Sequence, residues 1–274
     1  MNRIIVALSG GKASAWCGDW ALKNYPKEDV VLYFNDVYWE HPDLYRFLGD
    51  LGRHWQHPIT IDADGRSPER LFYAHHAIAN NRMPFCSHEL KANRLQAFYQ
   101  GGDIIIFGIT SYERKWKERA NRIISKYQEV AAKTKKFPKI IFPLITNRVS
   151  KEDINIWLKS INIEEPYLYK LGFSHNNCSG GCVRAGKRQW ALLYEKLPEV
   201  YAERERVERE VRAYLNKDVH ILKDETLESL RKRIEVGMVI FKKPAAESAD
   251  RQGALFDDDD FGEQECIGIC DTQA

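Results

Sequence analysis

The chain has 274 residues, with 41 Lys and Arg against 39 Asp and Glu and a formal net charge of +2. A balance this close points, on composition alone, to no general role in binding nucleic acid or membrane surfaces. No apolar stretch reaches the length of a bilayer span, and the first residues lack the pattern of a secretory leader, so the expected setting is cytoplasmic.

The first expected element is a strand over Ile4–Leu8, which runs directly into Ser9-Gly10-Gly11-Lys12-Ala13-Ser14. Two glycines let backbone N–H groups face an anion, and the helix that follows adds the partial positive charge of its N-terminus. Lys12 and the hydroxyls of Ser9 and Ser14 can reach phosphate oxygens, so the segment reads as a phosphate cradle. It is not a Walker A loop, because the Gly-Lys spacing is wrong. Further strands are expected at Val30–Asn35, Ile59–Asp62, Asp103–Gly108 and Lys139–Leu144. Amphipathic stretches lie between them at Ala15–Asn24, Pro42–Trp55, Pro68–Asn80, His88–Tyr99 and Glu113–Lys133. Short β-rich runs alternating with helix-length segments predict an α/β fold with a doubly wound, mainly parallel sheet. In such sheets ligands bind beyond the carboxyl ends of the strands, where the Ser9–Ser14 loop sits.

Three segments are expected: a nucleotide-binding α/β domain over 1–176, a small charged helical lobe over 177–243, and a flexible acidic tail over 244–274. The helical stretch Glu113–Lys139 carries Arg114, Lys115, Lys117, Arg119, Arg122 and Lys126. It is either a solvated face or a surface for nucleic-acid phosphates. Six cysteines occur, at 17, 86, 178, 182, 266 and 270, two pairs of them spaced Cys-x3-Cys. In a reducing compartment such pairs bind metal or do chemistry more often than they form structural disulfides.

Six blocks in order complete the reading: the loop, Phe34-Asn35-Asp36 with Trp39-Glu40-His41-Pro42, Phe85-Cys86-Ser87-His88-Glu89-Leu90-Lys91, Phe107-Gly108-Ile109-Thr110 with Glu113-Arg114, Phe142-Pro143-Leu144, and Asn177-Cys178-Ser179-Gly180-Gly181-Cys182. Together they resemble the phosphoadenosine phosphosulfate (PAPS) reductase family of the PP-loop, adenine-nucleotide α-hydrolase superfamily. The resemblance implies an adenine nucleotide (ATP, PAPS or adenylyl sulfate) held by Ser9, Gly10, Gly11, Lys12, Ser14, Asp36, Glu40, Gly108 and Arg114. Lys91 falls in a block that contacts the anion and joins Cys266 as a candidate catalytic residue. Ala13 replaces the Asp of ATP-cleaving relatives, which weakens the case for magnesium unless Asp36 or Glu40 supplies the ligand.

The resemblance also implies that Cys86, Cys178 and Cys182 can ligate a [4Fe–4S] cluster, with Cys270 or another cysteine completing four. Zinc and plain buried thiols are the other readings of the same residues. Glu265-Cys266-Ile267-Gly268-Ile269 is similar to the tail segment whose cysteine attacks sulfur in sulfonucleotide reductases. Three functions follow: reduction of a sulfonucleotide to sulfite with a thioredoxin-like partner, ATP-dependent sulfur transfer to tRNA or DNA, or a nucleotide-binding subunit without turnover.

Overall fold

The computed structural model describes residues 2–113 and 115–238; the segment from 239 onward, with Cys266 and Cys270, and Arg114 lie outside the described residues. In chain order the elements are β1 (Ile4–Leu8), α1 (Lys12–Asn24), β2 (Val30–Asp36), α2 (Pro42–Trp55), β3 (Ile59–Ala63), α3 (Pro68–Ala74) and the turn α4 (Phe85–Ser87). A π-helical stretch, His88–Ala92, leads into α5 (Asn93–Phe98), followed by β4 (Ile104–Phe107), α6 (Trp116–Thr134), β5 (Lys139–Ile141) and the short α7 (Pro143–Thr146). Then come α8 (Lys151–Ser160), α9 (Tyr167–Lys170), α10 (Lys187–Lys196), α11 (Pro198–Leu215) and α12 (Leu227–Glu235).

All five strands run parallel in the order β3-β2-β1-β4-β5. The strands obey the two-residue alternation of a sheet covered on both faces. Ile4, Val6 and Leu8 pack with α1, α2 and α8 through Cys17, Phe47, Leu51 and Trp157. Ile5, Ile105 and Phe107 pack on the opposite face with Leu95, Ile123 and Tyr127 of α5 and α6. This is the expected doubly wound α/β fold. Strand order reverses between β1 and β4, and the crevice beyond their carboxyl ends is the place where such sheets take ligands.

A third apolar cluster joins the segments after β2 and β3 to the C-terminal helices. Val37, Trp39, Leu71, Phe72 and Leu90 meet Trp190, Leu193, Tyr201 and Val207 there. Buried polar contacts fix the arrangement, since Glu208 of α11 accepts from the N–H groups of Ile221 at 2.8 Å and Leu227 at 2.7 Å. Among the described residues no helix is long and apolar enough to cross a membrane.

Several element boundaries differ from expectation, each for a local reason. The fifth strand stops at Ile141 because Pro143, with its fixed φ and no N–H, opens α7. The helix from Pro68 ends at Ala74; His76 is left-handed at φ 50°, and the Ala77 N–H turns back to the Phe72 carbonyl. The basic helix begins at Trp116, after left-handed Lys115 at φ 59°. The stretch from His88 opens with a π-helical turn and ends at Phe98.

Candidate functional site

The loop between β1 and α1 is organised by its own hydroxyls. Ser14 Oγ accepts the Ser9 N–H at 3.0 Å and donates to the Gly11 carbonyl at 3.0 Å. Ser9 Oγ lies 3.0 Å from Ser14 Oγ and accepts the Gly11 N–H at 3.4 Å. Gly11 caps α1 with no side-chain bond, and the first turn carries no acid. An anion there meets the positive end of the helix without competition from a resident carboxylate.

Two glycines make the loop possible. Gly10 sits at φ +78°, and a Cβ on it would lie 2.5 Å from Leu44 Cδ1. Gly108 follows β4 directly, and a Cβ there would lie 2.9 Å from both N and Cα of Ser14. The end of β4 is therefore pressed against the first turn of α1. Lys12 Nζ is held by Asn155 Oδ1 and Glu165 Oε2, each at 2.8 Å, and lies 4.6 Å from the centre of the Tyr169 ring. Ala13 is buried beside it.

The two carboxylates expected near the nucleotide are both engaged by protein groups. Asp36 accepts from the Tyr38 N–H at 2.8 Å and from the Tyr45 hydroxyl at 2.9 and 3.0 Å. Burial and that carboxylate push the Tyr45 hydroxyl well above its ordinary range. Glu40 has a fully buried side chain; it accepts from Lys91 Nζ at 3.3 Å and from the Cys178 N–H at 2.5 Å.

Through Glu40 the site extends to the cysteines. Cys86, far from Cys178 and Cys182 in sequence, lines one cavity with them and with Lys91, Trp39 and Ser87. The segment carrying Cys178 is tied to the Ser9–Ser14 loop, since Asn176 Nδ2 donates to the Gly10 carbonyl at 2.8 Å. It is also tied to the segment after β2, where Ser179 Oγ donates to the Trp39 carbonyl at 3.0 Å. Cys178, Ser179 and Gly180 stand consecutively at φ 50°, 54° and 84°. Two non-glycine residues held left-handed in succession are costly, and such strain tends to cluster at functional sites.

Cys178 is hydrogen-bonded to Cys182. That bond first, then burial and the Glu40 carboxylate, hold the Cys178 thiol well above its ordinary range, while Lys91 pulls the other way. Among the described residues no group of three or more His, Cys, Asp or Glu side chains is arranged to hold a metal ion. A cubane cluster needs four thiolate ligands; the described chain brings three thiols to one cavity without grouping them as a ligand set. Cys17, on the buried face of α1, is packed in the core.

One charged residue of this site escapes sequence reasoning. Arg204 on α11 is 6% exposed, and its guanidinium lies 3.7 Å from the centre of the Trp39 ring. Its Nε has no hydrogen-bond partner. Burial lowers its pKa, opposed by the nearby Cys178, Glu203, Glu40 and Glu69. Nearby, the buried amide of Asn177 has both polar atoms unpartnered, as does the indole N–H of Trp190. Gly181 keeps these groups close, since a Cβ on it would meet Arg204 Cγ at 3.3 Å and the Trp190 ring at 3.4 Å. A sequence run such as Glu203-Arg204-Glu205-Arg206 reads as a solvated helix face, so nothing marked Arg204 out.

The basic helix is less uniform than its composition suggests. Arg119 is turned inward and paired with Glu113, which also accepts from Thr110 N–H and Oγ1 at 2.9 Å each. Lys115, Lys117 and Arg122 are exposed.

The family model of the phosphoadenosine phosphosulfate reductase domain matches residues 3–184, which spans the sheet, the loop and all three pocket cysteines. No curated protein and no solved structure gives a match to the chain.

Proposed function

The chain belongs to the phosphoadenosine phosphosulfate reductase family, and on that premise we propose that it reduces a sulfonucleotide, PAPS or adenylyl sulfate, to sulfite with thiols as the electron source. The nucleotide lies across the carboxyl ends of β1 and β4, its phosphate on the Ser9–Ser14 loop and the N-terminus of α1. One observation carries the reading: three cysteine thiols and the Lys91 ammonium line a single cavity whose wall is hydrogen-bonded to the nucleotide loop. That connection supports a reading in which sulfur chemistry occurs next to the loop proposed to hold the nucleotide.

Cleavage of ATP is the weaker alternative. Ala13 offers no carboxylate to a magnesium ion, and Asp36 and Glu40 are already engaged by Tyr45, Lys91 and the Cys178 N–H. Lys91 acts as a point charge for the sulfonate and for the leaving phosphate. Cys266, outside the described residues, is the candidate for the attacking thiol.

The test is sulfite release by anaerobically purified protein supplied with PAPS or adenylyl sulfate and a thioredoxin-like reductant. Sulfite from one nucleotide and not the other names the substrate. AMP and pyrophosphate from ATP in the presence of tRNA or DNA, with no sulfite, would replace this reading by sulfur transfer.

A further inference from the structure

We propose that α6 and the turn after it, residues 115–139, form a binding face for single-stranded nucleic acid. The face adds a partner and does not depend on which reaction the crevice carries.

Formal charge is divided unevenly along the chain. Residues 239–274 carry three Lys and Arg against nine Asp and Glu, which leaves 38 against 30, a net +8, on residues 1–238. Within that excess, residues 115–139 hold nine Lys and Arg against two Glu, Glu118 and Glu129.

Charged helices elsewhere in the molecule neutralise themselves. Arg206 of α11 is paired with Glu203 and Glu210, Arg231 of α12 with Glu205 and Glu235, and Lys232 with Glu228. On α6 the pairing runs inward, where Arg119 is buried and occupies the Glu113 carboxylate. Among the described residues Lys115, Lys117, Lys126, Lys133, Lys135 and Lys139 make no ion pair. Arg122, Lys126 and Lys133 fall at i, i+4 and i+11, which at 3.6 residues per turn places them along one side of the helix. From Lys115 to Lys133 the face runs about 27 Å, at about 1.5 Å per residue. At about 3.4 Å per nucleotide, that length covers roughly eight phosphates of a stacked strand.

Aromatic side chains stand at both ends of the face. Tyr112, before α6, is 50% exposed, and Phe137, in the turn after it, is 60% exposed. Lys117 Nζ lies 5.5 Å from the centre of the Trp116 ring. The Gly102 N–H donates to the Phe137 carbonyl at 3.0 Å, which fixes that turn beside the start of β4. The face therefore runs from the carboxyl ends of the strands, where α6 begins after β4, to their amino ends. Bases stack on exposed rings only when they are unpaired, so the aromatics favour a single strand over a duplex. A membrane surface is a poorer match, because rings at opposite ends of a helix make no continuous apolar patch to insert.

The experiment measures binding of the full chain to a labelled single strand of mixed sequence, as DNA and as RNA, by fluorescence anisotropy across a salt series. Affinity should fall as salt rises. Lys126→Gln, Lys133→Gln and Lys139→Gln combined should reduce the slope of log K against log salt by about 2, at roughly 0.7 per phosphate contact. Phe137→Ser should weaken binding about tenfold and leave the slope unchanged. Both variants should melt with wild type, which separates lost contacts from lost folding. Binding of either strand supports the face, and a preference names the polymer. Binding insensitive to salt, or unchanged in the lysine variant, overturns the proposal, as does tighter binding of the duplex of the same sequence. Binding absent from the full chain but gained by a chain stopped after Met238 also overturns it, because the acidic residues after 238 would then be the occupant. Capture by phosphatidylserine vesicles, with no anisotropy change on either strand, would assign the face to a membrane instead.

Discussion

Single atoms decide the loop, and the glycines show it best. Gly108 and Gly49 invite the same substitution with opposite outcomes. At Gly108 an added methyl meets backbone N and Cα of Ser14 at 2.9 Å and Ala13 C at 3.1 Å. Those atoms belong to the first turn of α1 and can yield only by shifting the helix whose N-terminus is proposed to hold phosphate. Gly108→Ala should lower stability by about 1–3 kcal/mol and weaken nucleotide binding, seen as a lower melting temperature and a smaller shift on adding nucleotide. Gly49, inside α2, has as its nearest neighbour only the end of the flexible Arg53 side chain, at 3.5 Å. Gly49→Ala should instead stabilise the protein by about 0.5–1 kcal/mol through helix propensity. Equal effects from the two, in either direction, would mean that the approach of β4 to α1 is looser than the geometry implies.

Among the elements, the pairing of β1 with β4 defines the crevice, and Asp103 clamps their starting ends. Its carboxylate accepts the Arg3 N–H at 3.0 Å, Arg3 Nε at 3.2 Å, Arg3 Nη2 at 2.7 Å and the Gln100 N–H at 2.8 Å. Burial alone would raise the carboxyl, but Arg3 and the two backbone donors outweigh it and hold Asp103 below its usual range. A carboxyl depressed in the folded state stabilises the fold above its unfolded pKa of about 3.9, and that contribution fades as pH falls through the folded value. Asp103→Asn should therefore melt lower than wild type at pH 7, by an amount worth roughly 1.5–3 kcal/mol. The gap should close as both proteins are taken below about pH 3. A gap of constant size down the acid range would assign the loss to shape and not to charge.

How far these elements could be read in advance follows from what each depends on. β1 and α2 have the boundaries that a continuous apolar run of strand length and the Pro42 helix start predict, because their pattern is local. The fifth strand was overextended because Phe142-Pro143-Leu144 is apolar in either conformation, and only the proline ring decides. The cysteine pocket was legible in its residue types, yet not in its polarity: whether Arg204 is solvated or stacked on Trp39 depends on how α11 meets the segment after β2. Lys12 was expected at phosphate, and its partners Asn155 and Glu165 lie more than a hundred residues away, beyond any local signal.

At the scale of the molecule, the C-terminal helices are not an appendage to the sheet. Val37, Trp39, Leu71, Phe72, Ile78 and Leu90 precede residue 176, and each is at least nine-tenths buried in the cluster that Trp190, Leu193, Tyr201 and Val207 complete. Uncovering six such side chains at about 1.5–3 kcal/mol each removes as much free energy as a whole domain has to spare, roughly 5–15 kcal/mol. A chain stopped after residue 176 should accordingly lose its near-ultraviolet circular dichroism and bind a hydrophobic dye, although the sheet and the phosphate loop are present in full. A chain stopped after Met238 retains all three apolar clusters of the described residues and should still melt cooperatively. The same cut removes Cys266 and Cys270, so sulfite formed by the shortened chain would rule out Cys266 as the attacking thiol. A 1–176 fragment that folds cooperatively would show the sheet to be self-sufficient, and the cysteine pocket would then have to be treated as a site assembled between two independent units.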